Sequence, residues 1–301
     1  MAIMIQSNRV RVEIDEPGVL YTGSRFDWTG FVRQVTLTEG GHTYCSMENL
    51  LPGIGSGGIG LCNEFGMYEV LGYEDVQLGE TFTKIGVGLL TKLDDKPYDF
   101  LQPYPVVAPF PIRMEAGADS VRFVQDALPC GGYAVCLEKE FRVADGSLTI
   151  SYELRNVGER AIVTEEYTHN FLATDMRQPG PDYELRFGRV VTPEPWICAG
   201  TLELLQIEGR EIRWNDSAEA MFACRLAGQA GADDAAYYWE LTNAASGVGV
   251  RERGSEPVGR LALWGVPHAV SPEVFLNIKV EPGQSHRWTR TYEFFKLGNG
   301  A

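Results

Sequence analysis

The sequence predicts an all-β chain, a large antiparallel β-sandwich, and three observations predict it. Polar and apolar residues alternate with a period of two in segment after segment. Turn-forming residues recur about every eight to fifteen positions, the spacing of strands joined by short connections. No segment longer than about ten residues carries helical spacing, Ser217 to Leu226 coming nearest. Neither a repeat nor a polar linker divides the chain, so residues 1–301 read as one domain.

The elements follow in order. Arg9-Val10-Arg11-Val12-Glu13-Ile14 alternates strictly, and Val121 to Val124 and Phe141 to Val143 do the same. Leu148 to Val157 is the clearest strand. It follows Ala144-Asp145-Gly146-Ser147, where Asp-Gly suits the positive φ of a tight hairpin. Gly158-Glu159-Arg160 turns into a β-rich run from Ala161 to Phe171. Ala262 to Gly265, Val274 to Val280 and Arg287 to Phe295 are the late strands. Pro282 and Gly283 between the last two fit the centre of a type II turn. Two stretches read as long loops: Pro52 to Gly60, with five glycines in nine residues, and Asp94 to Pro111, with five prolines among aromatics. Long ordered loops on a β scaffold usually carry function.

Composition narrows the function. Hydrophobic residues at 44% and charged residues at 22% belong to a globular chain, not a disordered one. The net charge of −15, with no run of Lys or Arg, argues against nucleic acid and against an anionic membrane surface as partners. No apolar stretch approaches a membrane span, and Met1 to Val12 lacks the apolar core of a signal peptide. The six cysteines form no C-x-x-C pair, so a cytoplasmic protein with reduced thiols is expected. The oligomeric state is not legible.

Candidate chemistry is sparse. Gly55, Gly57 and Gly60 satisfy G-x-G-x-x-G, but Leu61-Cys62-Asn63-Glu64-Phe65-Gly66 is no amphipathic helix, so a rim-forming loop is the better reading. The four histidines lack metal-ligand spacing, and no metal site is expected. His42 and His286 sit at turns and read as surface residues. His169 and His268 lie in apolar, strand-like surroundings near carboxylates. In Thr164-Glu165-Glu166-Tyr167-Thr168-His169-Asn170, one strand face carries Glu165, Tyr167 and His169, and the other Glu166, Thr168 and Asn170. A sandwich strand should show one apolar face, so something polar is held here. His169 is then either a structural histidine satisfied by a carboxylate or an acid–base group. Glu273 opens an apolar strand and is either exposed at the rim or buried with a raised pKa, as a general base. Arg25, Glu64 and Lys84 are charges set among aromatics and glycines, the mixture that binds sugar hydroxyls and C–H faces.

Taken in order, these residues resemble the galactose mutarotase-like, or aldose 1-epimerase-like, family. Ser24-Arg25-Phe26-Asp27-Trp28-Thr29-Gly30 is similar to that family's opening G-R-F segment. Cys130-Gly131-Gly132 followed by Leu148-Thr149-Ile150-Ser151-Tyr152 is similar to its Gly-rich turn and "L-x-I-x-Y" strand. Tyr167-Thr168-His169-Asn170-Phe171-Leu172 occupies the place of "T-x-H-x-Y-F-N-L". The stretch from Glu273 through Glu281-Pro282-Gly283 to Tyr292-Glu293-Phe294 matches the closing segment. The resemblance implies a mutarotase-type β-sandwich that interconverts sugar anomers without a cofactor. It implies His169 as general acid and Glu273 as general base, on opposite sides of a sugar ring. Arg25, Glu64, Lys84, Glu165, Tyr167 and His268 are the expected substrate-binding residues. The family's "N-R" arginine and "L-H-G-G" histidine have no clear counterparts, and Asn170 and Glu165 depart from its usual residues. A non-catalytic carbohydrate-binding protein, or a hydrolase or lyase in the same cleft, are the alternatives. Neutral or modified sugars are expected ahead of sugar phosphates, since basic residues are few and scattered.

Overall fold

The computed structural model of the chain describes residues 2–228 and 237–298. Two ten-stranded antiparallel sheets face each other, and a third sheet of three strands lies beside them. The first large sheet runs Ile3–Gln6, Val10–Asp15, Phe31–Leu37, Leu61–Phe65, Ile162–Asn170, Ala269–Val280, Arg260–Val266, Phe222–Gly228 and Val191–Ile197, with His42–Thr43 at its side. The second includes Tyr237–Asn243, Val248–Gly254, Ser285–Lys296, Ser147–Asn156 and Val135–Ala144 at its centre. The three-stranded sheet is built from Thr81–Lys84, Gly88–Thr91 and Val106–Pro109.

Every strand named from the sequence is present. The helical candidate Ser217 to Leu226 is not a helix: its second half belongs to the strand Phe222–Gly228, and a single turn, Thr201–Leu204, is the only α-helix among the described residues. Phe222, Cys224 and Leu226 face the core as alternate residues of a strand, and the pairing with Arg260–Val266 overrides weak helical spacing. Both predicted turns close as expected. Asp145 takes the positive φ of 48° in the first, while Gly146 lies where a Cβ would meet the Phe294 carbonyl at 3.0 Å. Gly283 takes φ 77° in the second, and Gln284 N–H donates to Glu281 O at 3.0 Å.

The two large sheets are buried differently, and the difference positions the site. In the second sheet, Val135–Ala144 and Tyr237–Asn243 alternate buried and half-exposed residues, one face on the core and one toward water. In the first sheet, Leu61–Phe65 and the first eight residues of Ala269–Val280 are buried throughout. Its inner face carries the inter-sheet core. Its outer face is covered by the three-stranded sheet, through a cluster of Tyr73, Phe82, Val87, Leu90 and Tyr104, and by the two long loops. Among the described residues no helix is long and apolar enough to cross a membrane.

Candidate active site

The strand Ile162–Asn170 is polar on both faces because each face meets a different polar environment. Glu166, Thr168 and Asn170 point between the large sheets. There Asn63 donates to Glu166 and Thr168 at 2.7 and 2.8 Å, Arg290 donates to Glu166 at 2.8 Å, and Tyr292 donates to Asn170 at 3.1 Å. This lattice joins the sheets and lines no cleft. Glu165, Tyr167 and His169 point outward, and only this face belongs to the candidate site.

Sheet register builds the site from residues far apart in sequence. Tyr167 pairs with Phe275 in an antiparallel ladder. Two residues further along each strand, on the same face, stand His169 and Glu273. Their side chains meet, with His169 Nε2 3.3 Å from Glu273 Oε1. The row continues outward: Glu273 pairs with Ala262, and Ala262 with Arg225. The adjacent row on the same face is Glu64, Tyr167, Phe275 and Arg260. His169, Glu273, Ala262 and Arg225 of the first row, with Phe275 and Arg260 of the second, form the floor of a cleft of about 390 Å³. Phe100, Trp196 and Trp264 contribute its aromatic walls, and His169, Glu273, Arg25, Arg225 and Arg260 its polar groups. A mostly apolar concavity with a few convergent polar groups is the usual form of a small-molecule site.

The imidazole of His169 stacks on Phe171 with centroids 3.9 Å apart and meets Trp264 edge-on at 4.9 Å. Its Nδ1 is buried without a hydrogen-bond partner. Burial, reinforced by the positive charge of Arg25, holds its pKa well below the ordinary histidine value, so the ring is neutral. Burial acts oppositely on Glu273 and pushes its carboxyl up to about 7, against the opposing pull of Arg25 and Arg260. Ser271 donates to Glu273 Oε1 at 3.3 Å. The pair therefore consists of a neutral base beside a carboxyl that titrates near neutrality.

Arg25 is held on every side. Its Nε donates to Glu64 Oε2, its Nη1 to Ser56 Oγ and its Nη2 to Tyr167 Oη, each at 2.9 Å. Its guanidinium lies 4.5 Å from the centroids of both Phe26 and Phe100. Ser56 comes from the glycine-rich loop, which Glu48 fixes by accepting from the Ser56 and Gly58 amides. That loop is a rim element, as expected from sequence. Gly58 is required there because a Cβ would meet the Phe171 ring at 2.3 Å. The proline-rich loop supplies Phe100 and also Tyr98, whose ring lies 5.3 Å from Lys84 Nζ.

Of the eight residues expected at the site, the structure brings Arg25, His169 and Glu273 to the cleft wall. Glu64, Lys84 and Tyr167 do not line it. They are buried behind Arg25, with Lys84 Nζ donating to Glu64 Oε1 at 3.0 Å and Tyr167 Oη to Glu64 Oε2 at 2.8 Å. Glu165 faces a neighbouring hollow and pairs with Arg260 at 3.0 Å. His268 lies outside the cleft, where its ring nitrogen meets the Met47 carbonyl at 3.1 Å near the base of the glycine-rich loop. The expected placement of His169 and Glu273 across a sugar ring also changes, because atoms 3.3 Å apart leave no room for a ring between them. Both stand on one side of the cleft. Missed from the sequence were Arg225, Arg260, Phe100, Trp196 and Trp264.

No family model matches the chain, and no curated protein sequence matches it. Solved structures do. A GalM/aldose epimerase homologue from C. elegans superposes with a TM-score of 0.65 at 12% identity, covering 99% of each chain. The fold is galactose mutarotase-like. A galactose mutarotase-like protein from Lactobacillus casei gives 0.60 at 12% identity over 98% of this chain and 100% of its own. Another from Clostridium acetobutylicum gives 0.60 at 10% over 98% and 95%. At such identities the likeness establishes the galactose mutarotase-like sandwich, and the chemistry rests on the residues of this chain.

The raised carboxyl of Glu273 carries a stability consequence. Its pKa is about 7 when folded against an ordinary 4.5, so the folded state holds the proton more tightly. That contribution is complete below pH 4.5, shrinks as pH rises, and is gone above 7. Glu273→Gln keeps the shape and the Ser271 contact without the ionisation. The variant should be more stable than the parent at pH 8 by up to about 3 kcal/mol, with the gain vanishing by pH 4. Urea unfolding at the two pH values measures it. A parent more stable than the variant at pH 8 would contradict burial as the cause of the shift.

Proposed function

We propose that the protein is a carbohydrate-active isomerase of the aldose 1-epimerase type, with residues 1–301 acting as one unit. The observation that carries this reading is the His169–Glu273 contact of 3.3 Å within a cleft walled by aromatic rings. In a cyclic aldose the anomeric hydroxyl and the ring oxygen are bonded to the same carbon. An acid and a base standing side by side can therefore reach both at once. Glu273 takes the hydroxyl proton, His169 gives a proton to the ring oxygen, and the C1–O bond to the ring oxygen opens to the aldehyde. Rotation about the C1–C2 bond presents the other aldehyde face, and closure returns both protons. Aromatic rings such as Trp264 and Phe100 offer surfaces for sugar C–H groups, and no cofactor enters the scheme. Six free thiols agree with a reducing, cytoplasmic setting.

A retaining or inverting hydrolase would need a second free carboxylate beside Glu273. Among the described residues the other carboxylate lining the cleft is Glu48, already engaged by the amides of Ser56 and Gly58. That favours isomerisation over hydrolysis. The test is anomer exchange by NMR on a panel of free aldoses and uronic acids. Exchange above the spontaneous rate supports the isomerase. Sugar binding without exchange on any member would establish a binding protein instead.

A further inference from the structure

The cleft shares a wall with a second hollow of about 420 Å³, and Tyr68, Arg225 and Arg260 belong to both. The charges along this wall are unequally matched. Arg25 is answered by Glu64 at 2.9 Å, and Arg260 by Glu165 at 3.0 Å. Arg225 has no carboxylate within 4.0 Å among the described residues. Rings flank it instead, with its guanidinium carbon 5.5 Å from the Trp196 centroid and 6.0 Å from that of Tyr68. In a chain of net charge −15, a half-buried guanidinium left without a carboxylate inside a cleft is an unmet anion site.

Its position relative to the acid–base pair is fixed by register. Arg225, Ala262 and Glu273 are directly opposite one another on three adjacent strands. They share a face, and the outer two are two strand spacings apart, roughly 10 Å between backbones. Ala262 leaves only a methyl group between them. A pyranose ring can lie over Ala262 with C1 at Glu273 and a ring substituent at Arg225. The substituent on C5 suits this span, since C5 is bonded to the same ring oxygen as C1.

We infer that Arg225 anchors a carboxylate borne by the sugar, so that the cleft takes uronic acids in preference to neutral aldoses. This rests on the proposal that the cleft holds a sugar. A planar guanidinium matches a planar carboxylate through two parallel N–H···O bonds. A phosphate dianion would call for a second unmatched cation, and Arg25 and Arg260 are already matched.

The experiment compares D-glucuronate and D-galacturonate with D-glucose, D-galactose and glucose 6-phosphate. Anomer exchange is read by NMR, and binding by calorimetry. The parent should favour the uronates by at least about tenfold in kcat/KM. The ratio of uronate to neutral sugar should fall to near one in Arg225→Ala, while Arg225→Lys keeps part of it and guards against a folding defect in the alanine variant. Equal rates on neutral and acidic sugars, a preference for the phosphate, or a uronate preference that survives Arg225→Ala would each overturn the assignment. Exchange without preference removes the carboxylate subsite and leaves the isomerase. Uronate binding that weakens about tenfold in Arg225→Ala, with no exchange on any sugar, upholds the subsite and removes the isomerase.

Discussion

Replacing either His169 or Glu273 by alanine should slow anomer exchange by about 10²–10⁴-fold, the usual contribution of a positioned acid or base. The double variant should be little worse than either single one, because the two residues act as a unit. The pH profile carries the sharper expectation. Glu273 as carboxylate with His169 as imidazolium holds one proton on the pair. A protonated Glu273 beside a neutral His169 holds the same one proton, and burial makes that second form dominant. The arrangement that the proposed mechanism calls for is therefore a minor tautomer of the singly protonated pair, and its population follows the proton count. That count is one from well below pH 6.5 up to about 7 and zero above. In kcat/KM the rate should be level below neutrality and fall about tenfold per pH unit above it, with a second loss only in acid. A rate that climbs through pH 7 would show Glu273 working as a lone carboxylate base and would remove His169 as proton donor.

The legible parts of the molecule are those written in local pattern. Alternation over Leu148 to Val157 and over Val274 to Val280 specifies strands because one face of each meets the core, and the sheets follow. The polarity of both faces of Glu165 to Asn170 marked a special strand, but sequence could not say that Glu166, Thr168 and Asn170 serve the seam between sheets while His169 serves the cleft. That division depends on which face the other large sheet covers. The pairing of His169 with Glu273 comes from a ladder joining strands about a hundred residues apart, which local pattern does not reveal. Arg225 was hidden for another reason. In Phe222-Ala223-Cys224-Arg225-Leu226 a weak helical spacing masked the strand, and a lone arginine in an apolar strand is the signal that could have found it. Arg260, in the alternating Arg260-Leu261-Ala262-Leu263-Trp264, offered the same signal. Glu64, Lys84 and Tyr167 were found but misplaced by one layer, since composition shows that charges gather near aromatics but not which of them reaches the cleft.

That buried layer should be costly to disturb. Glu64 is fully buried, and its carboxylate takes Lys84 on one oxygen and both Arg25 and Tyr167 on the other. Burial alone would raise its pKa. Lys84 and Arg25 together outweigh burial and hold the carboxyl below its ordinary value, so it is ionised at neutral pH. Glu64→Gln keeps the shape but leaves Lys84 without its carboxylate and Arg25 with only the longer 3.8 Å contact to Glu48, and it turns an amide donor toward Lys84 or Arg25. Breaking a buried pair in this way costs about 3–5 kcal/mol, because the uncompensated charge remains where water cannot reach it. Lys84 offers a partial escape. Burial already lowers its pKa, and without Glu64 it can shed its proton, retaining the Gly66 carbonyl contact at 2.9 Å as a neutral amine. Arg25 has no such option. The destabilisation should therefore be largest near pH 6 and ease as pH rises toward 9, where deprotonated Lys84 leaves only Arg25 charged, beside Glu48 at 3.8 Å. Denaturant midpoints across that range measure both the size and the slope. A loss under about 1 kcal/mol at pH 6 would mean that the layer is not held by its charges. A loss that grows with pH would mean that Lys84 keeps its proton without Glu64.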